Sequence, residues 1–452
     1  MRANTILMMV LLVLRCGSGT ESPPCGKGAL GIEAGFQRGG GARIVEVLPG
    51  GPAGEAGLRE GDVLLQIDGH SIKFACEVDA LSFNRDCSAV RITVRREGAT
   101  LEKTIRPAAQ SPLYEAACSG GNANACFRMA WLSEDAQAAP ALFDDACERG
   151  AAEACAGRGY TLMTEKSERA LPMLRKACDL GSGAGCAHLA YMYAEAILVP
   201  RDEIRAMELY TRACSLGDGR GCYSMGVFHD VGRGASANQA RAAAAYEQAC
   251  DAGVSMACTD LGFLYERGSG VLAAAARAAE LYRRGCEGSS CEAANLRGCV
   301  NLGDAYRDGI GVTRDDARAA EIFRTTCAAT ADPNDENREK ARRRACVLFA
   351  AFQISGRGVA RDETAGLRVS KQGCDQGDAF GCFNVAQVHA SRDNFVLASA
   401  YYDRACEGGD AEGCYELGLL YDEAKGVPFD PDRAATLFRR ACEGGFSKGC
   451  DR

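Results

Sequence analysis

Cysteine is the residue type whose spacing in this sequence points most directly to chemistry. Twenty of the 25 cysteines fall into consecutive pairs, and eight of these ten pairs have seven residues between their members. The other two pairs, Cys286/Cys299 and Cys327/Cys346, enclose longer insertions. The regular pairs are Cys118/Cys126, Cys147/Cys155, Cys178/Cys186, Cys214/Cys222, Cys250/Cys258, Cys374/Cys382, Cys406/Cys414 and Cys442/Cys450. Paired cysteines of this kind either form disulfides or bind a metal.

Zinc is the alternative to disulfides, and the spacing argues against it. Zinc sites join two closely spaced cysteine pairs, or combine one such pair with histidines. The sequence has four histidines, His70, His188, His229 and His389, and none is next to a cysteine. We therefore predict disulfides, with no metal and no cofactor. So many disulfides indicate an oxidising compartment.

Motifs for nucleophilic or metal-dependent catalysis are missing from the sequence. It contains no G-[DN]-S-G-G, H-E-x-x-H, G-x-S-x-G or S-x-x-K motif. The nearest fragment, Ser-Gly-Gly at residues 119–121, follows Cys118 and is interpreted as part of a linker. We predict no catalytic residues, and the chain is not expected to be an enzyme.

Because the cysteine pairs recur along the chain, the helices that position them are expected to recur with the same period. The first cysteines of successive pairs are most often 36 residues apart, a period typical of helical solenoids. One unit has apolar residues at helical spacing in two short segments, which predicts an antiparallel pair of amphipathic helices. These residues are Leu261, Leu264 and Tyr265 in the first segment and Ala278, Leu281 and Tyr282 in the second.

Small residues in the repeat have a predicted mechanical role. Mid-helix glycines recur at Gly226, Gly262, Gly303 and Gly418, where close approach of a neighbouring helix would offset their cost of about 1 kcal/mol. The G-x-G-V turns at residues 268–271, 309–312 and 356–359 are expected to end one helix and reverse the chain. Two residues that precede second helices, Asp315 and Asp362, are expected to be N-caps.

Together these features resemble the Sel1-like repeat family, and within it the cysteine-rich proteins first described from Helicobacter. The resemblance covers about residues 113–450 and implies a right-handed solenoid, related to tetratricopeptide arrays, over 113–452. It also implies a concave face that binds protein or cell-wall ligands. The first units, which lack the G-x-G-V turn, and the two insertions depart from the family pattern. The charged run at 334–340 in one insertion is expected to be a solvated face or a longer helix rather than a functional site.

A second set of motifs precedes the repeats. An L-G-I loop at 30–32, a P-x-x-P-A-x-x-A-G-L segment at 49–58, a G-D-V-L strand start at 61–64 and a D-G-x-x-I turn at 68–72 occur in order. They resemble a bacterial PDZ domain, a small α+β fold, assigned to residues 27–107. Strands are expected at 89–94 and 101–105 and a helix at 77–84.

The resemblance implies that this domain binds an extended peptide, which would be added as a strand beside the sheet and against a helix. Backbone amides of the loop are expected to hold a terminal carboxylate. An alternative is that the apolar members of this set are only core residues. The predicted peptide-binding residues are Leu30, Gly31, Ile32, Glu33, Ala34, Val78 and Leu81.

The N-terminus is typical of an export signal. An apolar run at residues 6–14 is too short to span a bilayer, but it fits a signal peptide, assigned to 1–19. Cys16 is either the acylated cysteine of a lipoprotein or incidental, because Arg15 departs from the lipobox pattern. The pairing of the remaining cysteines, Cys25, Cys76, Cys87 and Cys291, stays open.

The functional hypothesis combines these parts. The predicted protein is a scaffold of the Gram-negative periplasm or outer membrane that binds peptide C-termini and, on its repeats, a second protein or a cell-wall ligand. Membrane contact is expected only through a lipid anchor. A net charge of −8 without a basic stripe excludes nucleic acid as a partner. The alternatives are a β-lactamase, by family resemblance alone, and an envelope stress or quality sensor.

Overall fold

The structure, a computed structural model, describes residues 28–30, 32–36, 41–48, 50–72, 89–105, 108–133, 137–288, 295–330 and 335–452. The signal segment and the cysteines at 16, 25, 76, 87 and 291 lie outside these residues, as does the predicted helix at 77–84. The described chain divides into two compact units. The first contains the residues up to Ala257 with Ser269–Val271 and Gly288, and the second contains the remainder.

The N-terminal part of the first unit is a small antiparallel sheet. Five strands are in the order β2-β3-β4-β6-β7, with β5 paired to β4, and a separate two-stranded ribbon joins β1 to β8. The elements are β1 Gly28–Ala29, β2 Ile32–Phe36, β3 Ala42–Val47, α1 Pro52–Glu55, β4 Val63–Ile67, β5 His70–Ser71, β6 Val90–Arg96, β7 Ala99–Ile105 and β8 Ala108–Ala109. Strands β6 and β7 are thus close to the two predicted from alternation.

One ion pair, between Asp62 and Arg96, links two strands of this sheet. The Asp62 side chain is buried and accepts two hydrogen bonds of 2.6 Å from the Arg96 guanidinium, plus one from the Arg59 backbone amide. Burial alone would raise the pKa of Asp62, but these hydrogen bonds together hold it below its usual value. The aspartate of the G-D-V-L motif is therefore a structural anchor between the start of β4 and the end of β6.

After β8 the described residues contain helices and no further strands, and most of these helices contain 12 or 13 residues. Within each unit, successive helices pack against each other as antiparallel hairpins. The helices are α2 Gln110–Ser119, α3 Ala123–Leu132, α4 Ala139–Glu148, α5 Ala152–Thr164, α6 Ala170–Asp179, α7 Gly183–Glu195, α8 Glu203–Ser215, α9 Gly219–Val231, α10 Gln239–Asp251, α11 Ser255–Arg267, α12 Ala275–Glu287, α13 Leu296–Asp308, α14 Asp316–Cys327, α15 Glu336–Ser355, α16 Glu363–Asp375, α17 Ala379–Ala390, α18 Phe395–Glu407, α19 Ala411–Asp422 and α20 Pro431–Glu443. The predicted fold class, a helical solenoid behind a small sheet domain, is confirmed.

The mid-helix glycines have the role predicted for them. A Cβ atom on Gly303 would lie 2.4 Å from the ring of Phe323, and one on Gly262 would lie 2.7 Å from the ring of Tyr282. Gly226 and Gly418 face aromatic rings in the same way. In each case the ring belongs to the second helix of the same hairpin, so glycine lets the two helices approach closely.

The predicted N-caps are also confirmed. The Asp315 and Asp362 carboxylates accept hydrogen bonds of 2.9 Å from the backbone amides of Arg318 and Ala365. These bonds satisfy amide groups that have no partner within the helix.

Disulfides close the linkers between successive hairpins. Cys178 near the end of α6 is bonded to Cys186 in α7, and their Cα atoms are 4.5 Å apart. The widely spaced pairs Cys286–Cys299 and Cys327–Cys346 are bonded as well. The other described disulfides are Cys118–Cys126, Cys147–Cys155, Cys214–Cys222, Cys374–Cys382, Cys406–Cys414 and Cys442–Cys450, and both Cys250 and Cys258 are disulfide-bonded.

Candidate functional site

The strand predicted to receive a peptide is at the edge of the sheet. Among the described residues, β2 pairs only with β3, along Ile32↔Val47 to Phe36↔Ala42, so its other edge has no strand beside it. A register shift between Glu33 and Ala34 bends this edge. An edge of this kind can bind an extended chain through backbone hydrogen bonds.

The described side chains of the predicted site are buried or half-buried. Leu30 and Ile32 are 0% and 2% exposed and belong to the core of the domain, so only their backbone groups are available to a ligand. Ala34 is half-buried against the same core. Gly31, Val78 and Leu81 lie outside the described residues, and of Glu33 only the backbone in β2 is described. The structure therefore brings together the strand half of the predicted groove.

The loop that precedes β2 is held from two sides. The Leu30 carbonyl accepts a hydrogen bond of 3.0 Å from the Ala53 amide at α1. On the other side, Gly28 and Ala29 pair with Ala109 and Ala108 of β8. Since α2 begins at the next residue after β8, the loop is tied to the first helix of the repeat region.

A further contact between sheet and helices was not predicted from the sequence. The two carboxylate oxygens of Glu46, in β3, accept hydrogen bonds from the side-chain amides of Asn122 and Asn124, at 2.8 and 2.6 Å. The same Asn122 caps α3, because its oxygen accepts a hydrogen bond from the Ala125 amide at 2.7 Å.

Apolar packing reinforces this junction. Leu48, Tyr114 and Ala125 are buried together, with Leu113 and Met129 packed around them. The residues come from the end of β3, from α2 and from α3. The sheet and the first helices of the repeats are therefore in direct contact, and no short-range pattern in the sequence could have revealed contacts across about 75 residues.

Two ionisable side chains in α5 and α7, Glu153 and His188, have shifted pKa values. Burial raises the pKa of Glu153, although much of its surface faces solvent, and the nearby Asp218 carboxylate raises it further. Burial lowers the pKa of His188 to about 4, and the Arg220 cation adds to the shift. The His188 ring packs 4.7 Å from the ring of Tyr160, so it is a neutral, partly apolar surface at neutral pH.

The histidines are distributed over separate places. His70 is exposed in β5, His188 packs on Tyr160, His229 is buried, and His389 stacks on Tyr401. In the part of the chain that the structure describes, no three His, Cys, Asp or Glu side chains are grouped as a metal site requires. The helices described here include none with the length and apolar character needed to cross a membrane.

Comparisons with protein families agree with both sets of motifs. Residues 43–96 match the PDZ domain model. The Sel1 repeat model matches residues 183–218, 219–254, 255–290, 296–329 and 411–446. These segments include the units in which the 36-residue period is clearest.

Individual relatives match parts of the chain. The magnetosome formation protease MamE of Paramagnetospirillum magneticum is 39% identical over 77 residues, which are 17% of this chain and 11% of that protein. Serine protease HTRA1 of Xenopus tropicalis is 39% identical over 66 residues, 15% of this chain and 12% of that protein. The chain thus spans about a tenth of the length of these curated relatives.

Solved structures resemble the helical part. The protective antigen c5321 of uropathogenic Escherichia coli, with an SLR fold, is 23% identical with a TM-score of 0.49, covering 75% of this chain and 80% of that one. The cysteine-rich protein B of Helicobacter pylori is 30% identical with a TM-score of 0.24, covering 28% of this chain and 95% of that one. The two family matches show that the chain contains a PDZ domain followed by Sel1 repeats.

Proposed function

We propose that this protein is an exported scaffold that binds the C-terminus of one protein in its PDZ domain and a second partner on its repeats. The observation that carries the proposal is the open edge of β2 directly after a loop held by α1 and β8. Such an edge gives affinity through backbone hydrogen bonds, while adjacent loop amides suit a terminal carboxylate.

The junction between the sheet and the first helices favours a scaffold of fixed geometry rather than two binding domains that move independently. The Glu46 contacts and the buried Leu48 and Tyr114 side chains restrict motion of the PDZ domain against α2 and α3. A restricted arrangement fixes the distance between two bound partners and raises the effective concentration of the second.

Binding of C-termini is tested with the full chain and pairs of labelled peptides that differ only in a free or amidated C-terminus. We expect the free-acid peptides to bind at least about tenfold more tightly, because an amide cannot satisfy an anion-binding loop. Gly31→Arg should remove this binding, and Thr100→Arg, an exposed control in β7, should not. Equal binding of acids and amides would contradict the proposal.

The many disulfides support export, because disulfides persist in oxidising compartments. The test is fractionation of Gram-negative cells that express the full chain, with mass spectrometry of the mature N-terminus. Acylation at Cys16 would add diacylglyceryl mass and place the protein in the membrane fraction, and Cys16→Ala would then release it. A reduced chain in the cytoplasm would contradict export.

A further inference from the structure

One hairpin of the second unit contains a small recess. It lies between α13, α15 and α17, has a volume of about 70 Å³, and is lined by Leu348, Ala351, Phe352, Phe380, Arg307 and Arg357, with Ser355 at its edge. Its floor is apolar, since Leu348 and Phe352 are 1% and 4% exposed. This volume is well below the range for small-molecule sites, so the recess suits a single inserted side chain rather than a whole ligand.

At the recess, α15 differs from the other hairpins at two positions of the repeat, and the first is Ala351. Five positions after the second cysteine of each pair, α15 has Ala351, where the other hairpins have larger side chains. The larger side chains include Tyr160, Tyr191, Val227, Phe263, Asp304, Gln387 and Leu419. Because Ala351 is small, it leaves space that a larger side chain at the same position would occupy.

The polarity of the floor changes at the same place. Two positions after the second cysteine, α15 has the apolar Leu348. The other hairpins have a polar side chain or glycine there, namely Arg128, Gly157, His188, Ser224, Asp260, Asn301, Asn384 and Glu416. An open volume and an apolar floor thus occur together in one hairpin, which is the arrangement that receives an apolar side chain.

Cations surround this apolar floor. The Arg344 guanidinium is 4.9 Å from the Phe380 ring centroid, and Arg357 is 5.5 Å from that of Phe352. Their carboxylate partners, Asp378 and Asp316, lie at 3.2 and 2.8 Å. These pairs show that a carboxylate can sit beside the rings, although they also neutralise part of the charge.

The helix extension carries more basic than acidic side chains. The α15 helix has 20 residues and begins ten residues before Cys346, so its first turns have no counterpart in the 13-residue helices. Residues 335–344 contain five basic and three acidic side chains, in a chain whose net charge is −8. Lys340 is exposed and lies one turn before Arg344, on the same side of the helix.

We propose that this recess is a binding site for an acidic peptide segment of a partner protein, with one large apolar side chain inserted between Leu348, Phe352 and Phe380. Acidic residues on the side of that anchor toward the start of α15 lie along Arg344 and Lys340. The site would supply the second partner of the proposed scaffold, but it does not depend on the PDZ groove.

The test uses the full chain and acetylated, amidated peptides, because blocked C-termini keep the PDZ groove out of the measurement. Fluorescence anisotropy compares peptides with a central leucine flanked by glutamates, the same peptides with the leucine replaced by glycine, and peptides with lysines in place of glutamates. We expect only the first kind to bind. Equal binding of the acidic and basic peptides, or no binding of the acidic leucine peptides, would overturn the proposal.

Matched variants locate the binding. Ala351→Phe fills the recess and should weaken binding at least about tenfold, which corresponds to loss of one buried apolar anchor. Gln387→Phe, at the equivalent exposed position of α17, should leave it unchanged. Lys340→Glu should weaken binding about threefold at low salt and less at high salt, whereas Lys371→Glu in α16 should not.

Two further measurements keep the outcome decisive. Thermal unfolding by circular dichroism shows whether Ala351→Phe is folded, and a folded variant that binds like the parent chain would refute the site. Sedimentation of the chain alone tests whether a second copy of the chain occupies the recess. If the chain self-associates, Ala351→Phe abolishes this association and no peptide binds, the occupant is a second copy and the peptide proposal is wrong.

Discussion

The turn between α7 and α8 and the turn between α13 and α14 follow the same backbone path with different residues. In the first, Ala196 and Leu198 have φ values of +57° and +59°, and in the second Gly309 and Gly311 have +71° and +75°. A Cβ on Gly311 would be 2.1 Å from the Ala275 carbonyl oxygen at the start of α12, whereas Leu198 is 40% exposed.

The comparison separates two reasons for glycine. A left-handed φ costs an ordinary residue about 1–2 kcal/mol, which a stable array tolerates at Ala196 and Leu198. Contact with the backbone of the preceding hairpin leaves no room for a side chain, and this is the requirement at Gly311. The second glycine of the turn therefore sets how closely successive hairpins stack.

The largest effect is expected for Gly311→Ala. The new Cβ would collide with the backbone at Ala275, so we expect a loss of about 3 kcal/mol or more in the free energy of unfolding. Urea unfolding, with hydrogen exchange in α12 and α13, measures it. Gly309→Ala is the control: its nearest neighbour would be the Arg314 Cβ at 3.3 Å, so only about 1–2 kcal/mol should be lost. Equal losses would refute the distinction.

A smaller loss is expected for Gly303→Ala inside α13. The added methyl would lie 2.4 Å from the Phe323 ring, which is fully buried, so the hairpin must open. The better helix propensity of alanine offsets part of the strain, and we expect a net loss of about 1–2 kcal/mol. Combining Gly303→Ala with Phe323→Leu should cost less than the sum of the single changes. Additive losses in this double-mutant cycle would show that the two residues do not interact.

A gain is expected for Ala196→Gly in the turn of the first unit. Glycine removes the strain of a left-handed alanine but increases the entropy of the unfolded chain, so the net gain should be about 0.5–1 kcal/mol. Thermal unfolding followed by circular dichroism measures it. Ala190→Gly, in the middle of α7, is the matched control and should destabilise the protein, because that alanine has helical geometry and is buried.

The smallest effect is expected at the position seven residues after the second cysteine, which is tyrosine in several hairpins and histidine in two, at His229 and His389. Arg205, Arg318 and Arg433 stack on the tyrosines at 4.6–4.7 Å. His229 occupies the equivalent place in α9, and it is buried with its Nδ1 atom unpartnered among the described residues.

This substitution predicts a pH dependence. Burial, followed by the Arg241 cation, lowers the pKa of His229 below its usual value near 6.5. The unfolded chain therefore binds the proton more readily, so stability is complete above pH 6.5 and decreases as the pH falls below it. His229→Tyr should unfold with a weaker dependence between pH 7 and 5. An identical dependence in both proteins would show that His229 does not contribute.

Much of the repeat region was predictable because its determinants are local. The C-x7-C spacing places both cysteines on one turn-linked pair of helix ends, so pairs such as Cys178–Cys186 follow from the sequence alone. The caps at Asp315 and Asp362 and the close packing at Gly262 follow from single helices and their neighbours. The longer helix α15 was one of two alternatives for the charged run, and the structure contains it.

The candidate sites were harder to predict. Motifs located the loop and β2, but a period of two cannot tell whether Leu30 and Ile32 face a ligand or the core, and the structure places them in the core. The recess at Ala351 is not visible as a motif, since alanine is common in these helices. The recess becomes apparent only in the structure, where the residues that line it come together from three helices.

The sequence by itself determined the order of a PDZ domain and Sel1 repeats, the pairing of neighbouring cysteines and the turns, because each depends on residues within about one repeat. Only the tertiary structure decided that Glu46 binds Asn122 and Asn124 and that Ala351 opens a recess above Leu348. Those features depend on side chains that meet from separate segments, and their contacts arise from how strands and hairpins pack rather than from any local pattern.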